Sequence, residues 1–429
     1  MAVRLKSAEP GFEAAFDAFV AKDRDDGADV SGVVAQVIAA VRAEGFKAVE
    51  RYTRDFDRFD LTEQTARVSA EEIAQAEAAC DAGDLEALDF AAARIRAYHE
   101  KQTPQDMRYT DETGVTLGWR WTAVDAAGLY APGGRAAYPS SVLMNAIPAR
   151  VAGVRRLAMV SPAPDGEMNP LVLAAAKRAG VDEMYRIGGA QAIAALAYGA
   201  GAIEPVDVIV GPGNAYVAEA KRQVFGRVGI DSVAGPSEIL VVADGASDPA
   251  WIAADLLSQA EHDPSSQSVL ITDDAGFADR VAAAVEAQLL ESPRREIAAA
   301  AWADHSAIIV VETLAEAPAL VDRIAPEHLE LAVEDPETLL AEVRHAGAVF
   351  LGRHAPEAVG DYVAGPDHVL PTARAARYAS GLSVYDFMKR TSIIGCDKAA
   401  LAKIGPQAAR LADAEGLPSH AHSIRIRLK

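Results

Sequence analysis

The sequence predicts an α/β protein with two parallel sheets and helical segments at both ends. Two observations predict it. Through the middle of the chain, short apolar runs of strand length alternate with helical stretches, which is the pattern of βαβ units. Ahead of that region, residues 11 to about 103 carry apolar side chains at helical spacing. Val33, Val34, Val37, Ile38 and Val41 make one such face, and Ile73, Ala76, Ala79 and Cys80 another. Strands are expected at 127–130, 157–160, 184–187, 207–210, 239–243, 269–272, 308–311 and 348–351. About four βαβ units run between Val124 and Val242, and a second set runs from Ser268 to Leu351. From Val384 the chain reads as a separate helical element ending in a strand-like stretch at 423–428.

Composition narrows the function. A chain of 429 residues, half of them hydrophobic, is long enough for at least two cores. The net charge of −21 argues against nucleic acid or an anionic membrane as partner, because there is no basic field to attract phosphates. Two cysteines, Cys80 and Cys396, suit a reducing cytoplasm without a disulfide framework. No apolar run is long enough to span a bilayer, and the first residues do not read as a secretory signal.

Three glycine-rich turns fall where strands should pass into helices: YAPGGR (130–135), IGGAQAI (187–193) and GPGNAYV (211–217). Backbone N–H groups at such turns can approach a phosphate closely. None is a full G-x-G-x-x-G, so together they suggest a nucleotide crevice without the usual fingerprint.

The stretch SQAEHDPS (258–265) ends an apolar helix with Gln259, Glu261 and His262 before Pro264 stops it. Gln259 and His262, three residues apart, face the same way and could bind a metal or move a proton, or else form a polar, solvated last turn with His262 favourable at the helix C-terminus. In APEHLEL (325–331), Glu327 and His328 suit acid–base work, or else a capped helix start with Glu in its first turn. His368 and His420 lie in polar loops, GDYVAGPDHVLPT (360–372) and EGLPSHAH (415–422), and His99, His305, His345 and His354 read as surface residues without a role. There is no C-x-x-C and no H-E-x-x-H, which disfavours thiolate zinc sites and that class of metalloprotease.

These motifs, with GLYAPGGRAAYPSSVLMNAIPAR (128–150), RIGGAQAIAALAYGA (186–200), GPGNAYVAEAKR (211–222), SVAGPSEILVVADG (232–245) and SQAEHDPSSQSVL (258–270), resemble the histidinol dehydrogenase family over nearly the whole chain. The resemblance implies two incomplete Rossmann-like domains of aldehyde-dehydrogenase-like form. One would be discontinuous (26–129 and 237–383) and the other continuous (130–236), with an N-terminal extension (1–25) and a C-terminal dimerisation element (384–429). It implies oxidation of L-histidinol to L-histidine with two NAD+ and one Zn²⁺ per subunit, in a homodimer that shares its sites. Metal ligands would be Gln259, His262, Asp361 and His420. Proton transfer would fall to Glu327 and His328, and dinucleotide contacts to Tyr130, Gln191 and Asn214. Substrate contacts would be Ser237, His368 and Glu415, besides His328 and the ligands. The alternative is the same machinery acting on another small primary alcohol, such as a sulfonated one.

Overall fold

The computed structural model describes residues 2–22, 24, 29–133, 138–233 and 235–429. Gly134 and Arg135 of the first glycine turn, and the expected boundary at 25/26, lie outside them. The described residues hold a short edge strand β1 (Val3–Lys6), then β2 (Met107–Thr110), β3 (Thr116–Ala123) and β4 (Ala126–Tyr130). Next come β5 (Arg156–Val160), β6 (Glu183–Tyr185), β7 (Val208–Val210), β8 (Gly229–Ile230) and β9 (Glu238–Ala243). The last are β10 (Gln267–Thr272), β11 (Ala307–Val310), β12 (His328–Ala332), β13 (Ala348–Leu351) and β14 (Met388–Gly395).

They form two parallel sheets, as expected. One runs β6-β5-β4-β7-β8 and the other β1-β11-β10-β9-β12-β13. Both are buried between helical layers, which is why their strands read as short, continuous apolar runs. Residues of β4 alternate between two cores: Ala126 and Tyr130 pack into one, Ala127 and Leu129 into the other.

Strand β9, expected with the first set of strands, lies instead in the six-stranded sheet between β10 and β12. Three further expectations need correction. First, β4 pairs with β5 and β7. The helices Ser31–Glu44 and Phe46–Asp57 share a core with the helix Gly189–Tyr198. Strand β4 and these helices therefore accompany 130–236, not 237–383; their apolar faces fit the uncovered side of the five-stranded sheet. Second, the stretch after Val384 is not wholly helical. β14 pairs antiparallel with β3 along eight residues, and β2 completes a small sheet. Third, 423–428 is not a strand. Pro418 starts the helix Pro418–Arg425, and Ala421 and Ile424 pack on Ala409 and Ala412 of the helix Lys398–Ala414. The period-two alternation of Ser423–Ile424–Arg425–Ile426 is overridden by that contact. His99 is also not a surface residue: it is fully buried, with Nδ1 2.8 Å from Gln102 Oε1.

Candidate active site

Strand β12 opens at His328, immediately after Glu327, and lies between β9 and the edge strand β13 of its sheet. Sequence reasoning left this strand unassigned, since Pro–Glu–His resembles a helix start. Its position buries the pair: Glu327 is 7% exposed and His328 4%. The backbone N–H of Glu238 donates to Glu327 Oε2 at 2.9 Å. His328 Nδ1 lies 2.9 Å from the carbonyl oxygen of Glu238. A carbonyl only accepts, so Nδ1 carries the hydrogen and Nε2 the lone pair. Nε2 is 3.5 Å from Glu357 Oε1 and 4.0 Å from Asp361 Oδ1. Burial holds the imidazole below its usual pKa, against the opposing charge of Glu357. Burial also pushes the Glu327 carboxyl well above the carboxylate range, with Glu238, Asp361 and Glu357 adding to it. Both shifts favour a neutral imidazole and a carboxyl able to hold a proton.

The helix Pro249–Ala260 is capped by Asp248, whose carboxylate accepts from the Ala250 N–H, with Pro249 in the first turn. It delivers Gln259 at its last turn and His262 just beyond. The His262 N–H donates to the Gln259 carbonyl at 3.1 Å, so the turn continues far enough to keep both on one side. Gln259, His262, Asp361, His368, Ser237, Glu327, His328 and Asn214 line a single cavity of about 330 Å³. His368 Nδ1 lies 3.0 Å from the Asp361 carbonyl, and Nε2 lies 3.0 Å from Ser141 Oγ. Its ring is therefore fixed as the Nδ1–H tautomer, and burial lowers its pKa to about 4.

A metal ion fits here. His328, Glu357 and Asp361 place donor atoms within 4.8 Å of one another. Glu357 Oε1 is buried without a hydrogen-bond partner. Among the described residues neither carboxylate has a Lys or Arg ion pair. Burial and the neighbouring Glu357 push the Asp361 carboxyl up to about 8. Glu357 was not anticipated from sequence; its one signal is an acid four residues before Asp361, the spacing of one helical turn.

The five-stranded sheet presents its carboxyl edge through two of the glycine turns. Gly211 has φ +113, and a Cβ there would sit 2.2 Å from the Tyr130 carbonyl oxygen, so only glycine closes this turn. Asn214 caps the next helix, accepting from the Tyr216 and Val217 N–H groups. Tyr130 and Gln191 are buried beneath the second turn and do not line the cavity; the Gly189 N–H donates to the Tyr130 hydroxyl at 3.2 Å.

A buried ion pair fixes the third turn. Lys221 pairs with Asp231 and donates to the Gly211 carbonyl at 2.9 Å, while Asp231 accepts from the Gly211 N–H at 2.8 Å. Lys221→Met should destabilise the fold by about 3–5 kcal/mol, because it leaves Asp231 buried and unpaired. Chemical denaturation checks this; a loss under about 1 kcal/mol would mean that the pair is hydrated in solution.

His420 and Glu415 are not brought into the cavity. They sit exposed on the C-terminal helical hairpin. Neither cysteine lines the cavity, and Cys396 is exposed.

With this geometry in view, the comparisons with known proteins agree. A family model described as histidinol dehydrogenase matches residues 20–428. The histidinol dehydrogenase of Rhodospirillum rubrum is 61% identical over 429 residues, covering 100% of this chain and 99% of that protein. That of Ruegeria pomeroyi is 62% identical over 424 residues, covering 99% and 98%. A crystal structure of histidinol dehydrogenase from Elizabethkingia anophelis superposes with a TM-score of 0.95 at 36% identity, covering 100% of this chain and 98% of the other. With full-length relatives at this identity and a matching fold, the chain belongs to the histidinol dehydrogenase family.

Proposed function

We propose that this protein oxidises L-histidinol to L-histidine through histidinaldehyde in the cytoplasm, as the last steps of histidine biosynthesis, with two NAD+ per turnover and one zinc ion per subunit. The observation that carries the reading is the tautomer of His328. Its Nδ1–H is committed to the Glu238 carbonyl, so Nε2 is the basic nitrogen, turned toward Asp361 in a cavity that also holds Gln259 and His262.

Gln259, His262 and Asp361 would hold zinc through one nitrogen and two oxygens, with His420 of a second subunit as fourth ligand; this donor set suits zinc without thiolates. Zinc, when bound, orients the amine and imidazole of the substrate. Tyr130, Gln191 and Asn214 would hold NAD+ at the glycine turns, where it would supply the hydride acceptor for each half. His328 takes the alcohol proton in the first half. Glu327 then takes a proton from the water that attacks the aldehyde, a task suited to a carboxyl whose pKa burial has raised. His328 returns its first proton to the former carbonyl oxygen as the water adds, and then takes a hydroxyl proton of the resulting hydrate in the second half. Ser237 and His368 would complete the substrate contacts, with Glu415, like His420, coming from the second subunit. Retaining the aldehyde in a buried cavity prevents its loss.

The exposed apolar residues of the C-terminal hairpin, Leu411, Leu417 and Ile426, support assembly into a homodimer through that element. A sulfonated alcohol is disfavoured. Among the described lining residues Lys221 is the one Lys or Arg, and it is committed to Asp231.

NADH formation from L-histidinol, with and without a chelator, tests the reading. Activity should vanish after metal removal and return with Zn²⁺. Turnover that survives complete metal removal would rule out the zinc role. Oxidation of a sulfonated alcohol in place of histidinol would overturn the substrate.

A further inference from the structure

Three hydrogen bonds tie Glu327 and His328 to one residue of β9, Glu238. Its N–H holds the Glu327 carboxylate, and its carbonyl holds His328 Nδ1. Its own carboxylate accepts from the Glu327 N–H at 3.2 Å through Oε2, and from the Ala373 N–H at 3.0 Å through Oε1. The parallel register of β9 with β12, Ile239 opposite His328, sets this reciprocal arrangement. The side chain does not line the substrate cavity. It faces a neighbouring cavity of about 280 Å³ together with Arg24.

Arg24 supplies the cation for this carboxylate. Its guanidinium pairs with Glu238 Oε1 and reaches the Ser265 carbonyl at 3.4 Å. It comes from the segment joining the helix Phe12–Val20, which packs on the six-stranded sheet, to the helix Ser31–Glu44, which packs on the five-stranded one. Arg24 thereby lies behind Glu327 and His328, on the side of Glu238 away from their cavity.

We propose that Glu238 is a positioning residue for Glu327 and His328, and that Arg24 secures it from the segment that joins the two sheets. The proposal rests on the reading of Glu327 and His328 as the proton-transferring pair. Neither Glu238 nor Arg24 lines the cavity that holds Glu327 and His328, so their loss should act on the chemical step. A displacement on the order of 1 Å at a reacting group can lower the rate by about 10²-fold.

The experiment compares Glu238→Gln, Arg24→Gln, Arg24→Lys and the Glu238→Gln/Arg24→Gln double variant. Glu238→Gln should lower kcat by about 10²-fold with KM for L-histidinol and NAD+ unchanged within about twofold. Arg24→Gln should lower kcat by about tenfold, and Arg24→Lys should recover part of that because it keeps the charge. The double variant should be no slower than Glu238→Gln, since one residue acts through the other. Multiplicative losses, or a raised KM at constant kcat, would overturn the proposal. If Glu238→Gln does not fold, Arg24→Gln decides alone. A crystal structure of Arg24→Gln gives a readout independent of turnover. A shifted Glu327 carboxylate is expected, and an unmoved pair overturns the positioning role whether or not histidinol is the substrate. A wild type inactive on histidinol would instead overturn the activity.

Discussion

Glu327→Gln should slow oxidation of histidinaldehyde by about 10²–10⁴-fold, the usual loss for a general base. The first hydride transfer should be far less affected. Gln keeps the size of the side chain and a carbonyl oxygen that can accept from the Glu238 N–H, so the variant removes the base while preserving the bond that holds it. Alcohol oxidation consumes no water and so does not need that base. A single-turnover experiment with L-histidinol should therefore show one hydride transfer, while supplied aldehyde is oxidised poorly. His328→Asn should impair both halves, because each releases a proton to Nε2. The two residues are adjacent and share Glu238, so their losses will not multiply. Equal damage to both halves in Glu327→Gln would show that Glu327 positions the substrate or His328 and is not the water base.

His262→Asn and His420→Asn should each abolish turnover and weaken zinc binding, because each removes one of the four proposed ligands. Mixed together they should recover activity. His262 lines the cavity, whereas His420 is exposed on a terminal hairpin outside it. If His420 serves the other subunit, a heterodimer of the two variants contains one intact site and one doubly damaged site. Random exchange in equal amounts should restore about a quarter of the wild-type sites. His422→Asn, two positions further on, should retain its metal. No recovery after verified exchange would contradict a shared site, and metal loss in His422→Asn would contradict the choice of ligand.

Both parallel sheets were legible in the sequence because strands buried on two faces leave apolar runs bounded by turns. All eight expected strands lie in them. Strand β12 escaped because its first residues are a charged pair after proline, a sequence that reads equally well as a helix start. It is held as a strand by its neighbours β9 and β13, a non-local cause. The β2-β3-β14 sheet escaped for a similar reason: β14 meets β3 from about 270 residues away in sequence, and its residues are mostly exposed. Within the site, Gln259 and His262 were legible from helical spacing, and Glu327 and His328 from their chemistry. Glu357 and Glu238 were not. Each matters through a partner distant in sequence, His328 for the first and Arg24 for the second. The site also lies at the amino ends of β9 and β12, whereas ligands of open α/β sheets usually sit at carboxyl ends. A search confined to strand C-termini finds the glycine turns and misses the catalytic pair.

The most direct test is the stoichiometry of a complete reaction with limiting L-histidinol and excess NAD+. A site that retains the aldehyde and oxidises it again should yield two NADH and one L-histidine per histidinol, with no aldehyde captured by an external trapping reagent. One NADH per histidinol, with histidinaldehyde accumulating in solution, would contradict the account.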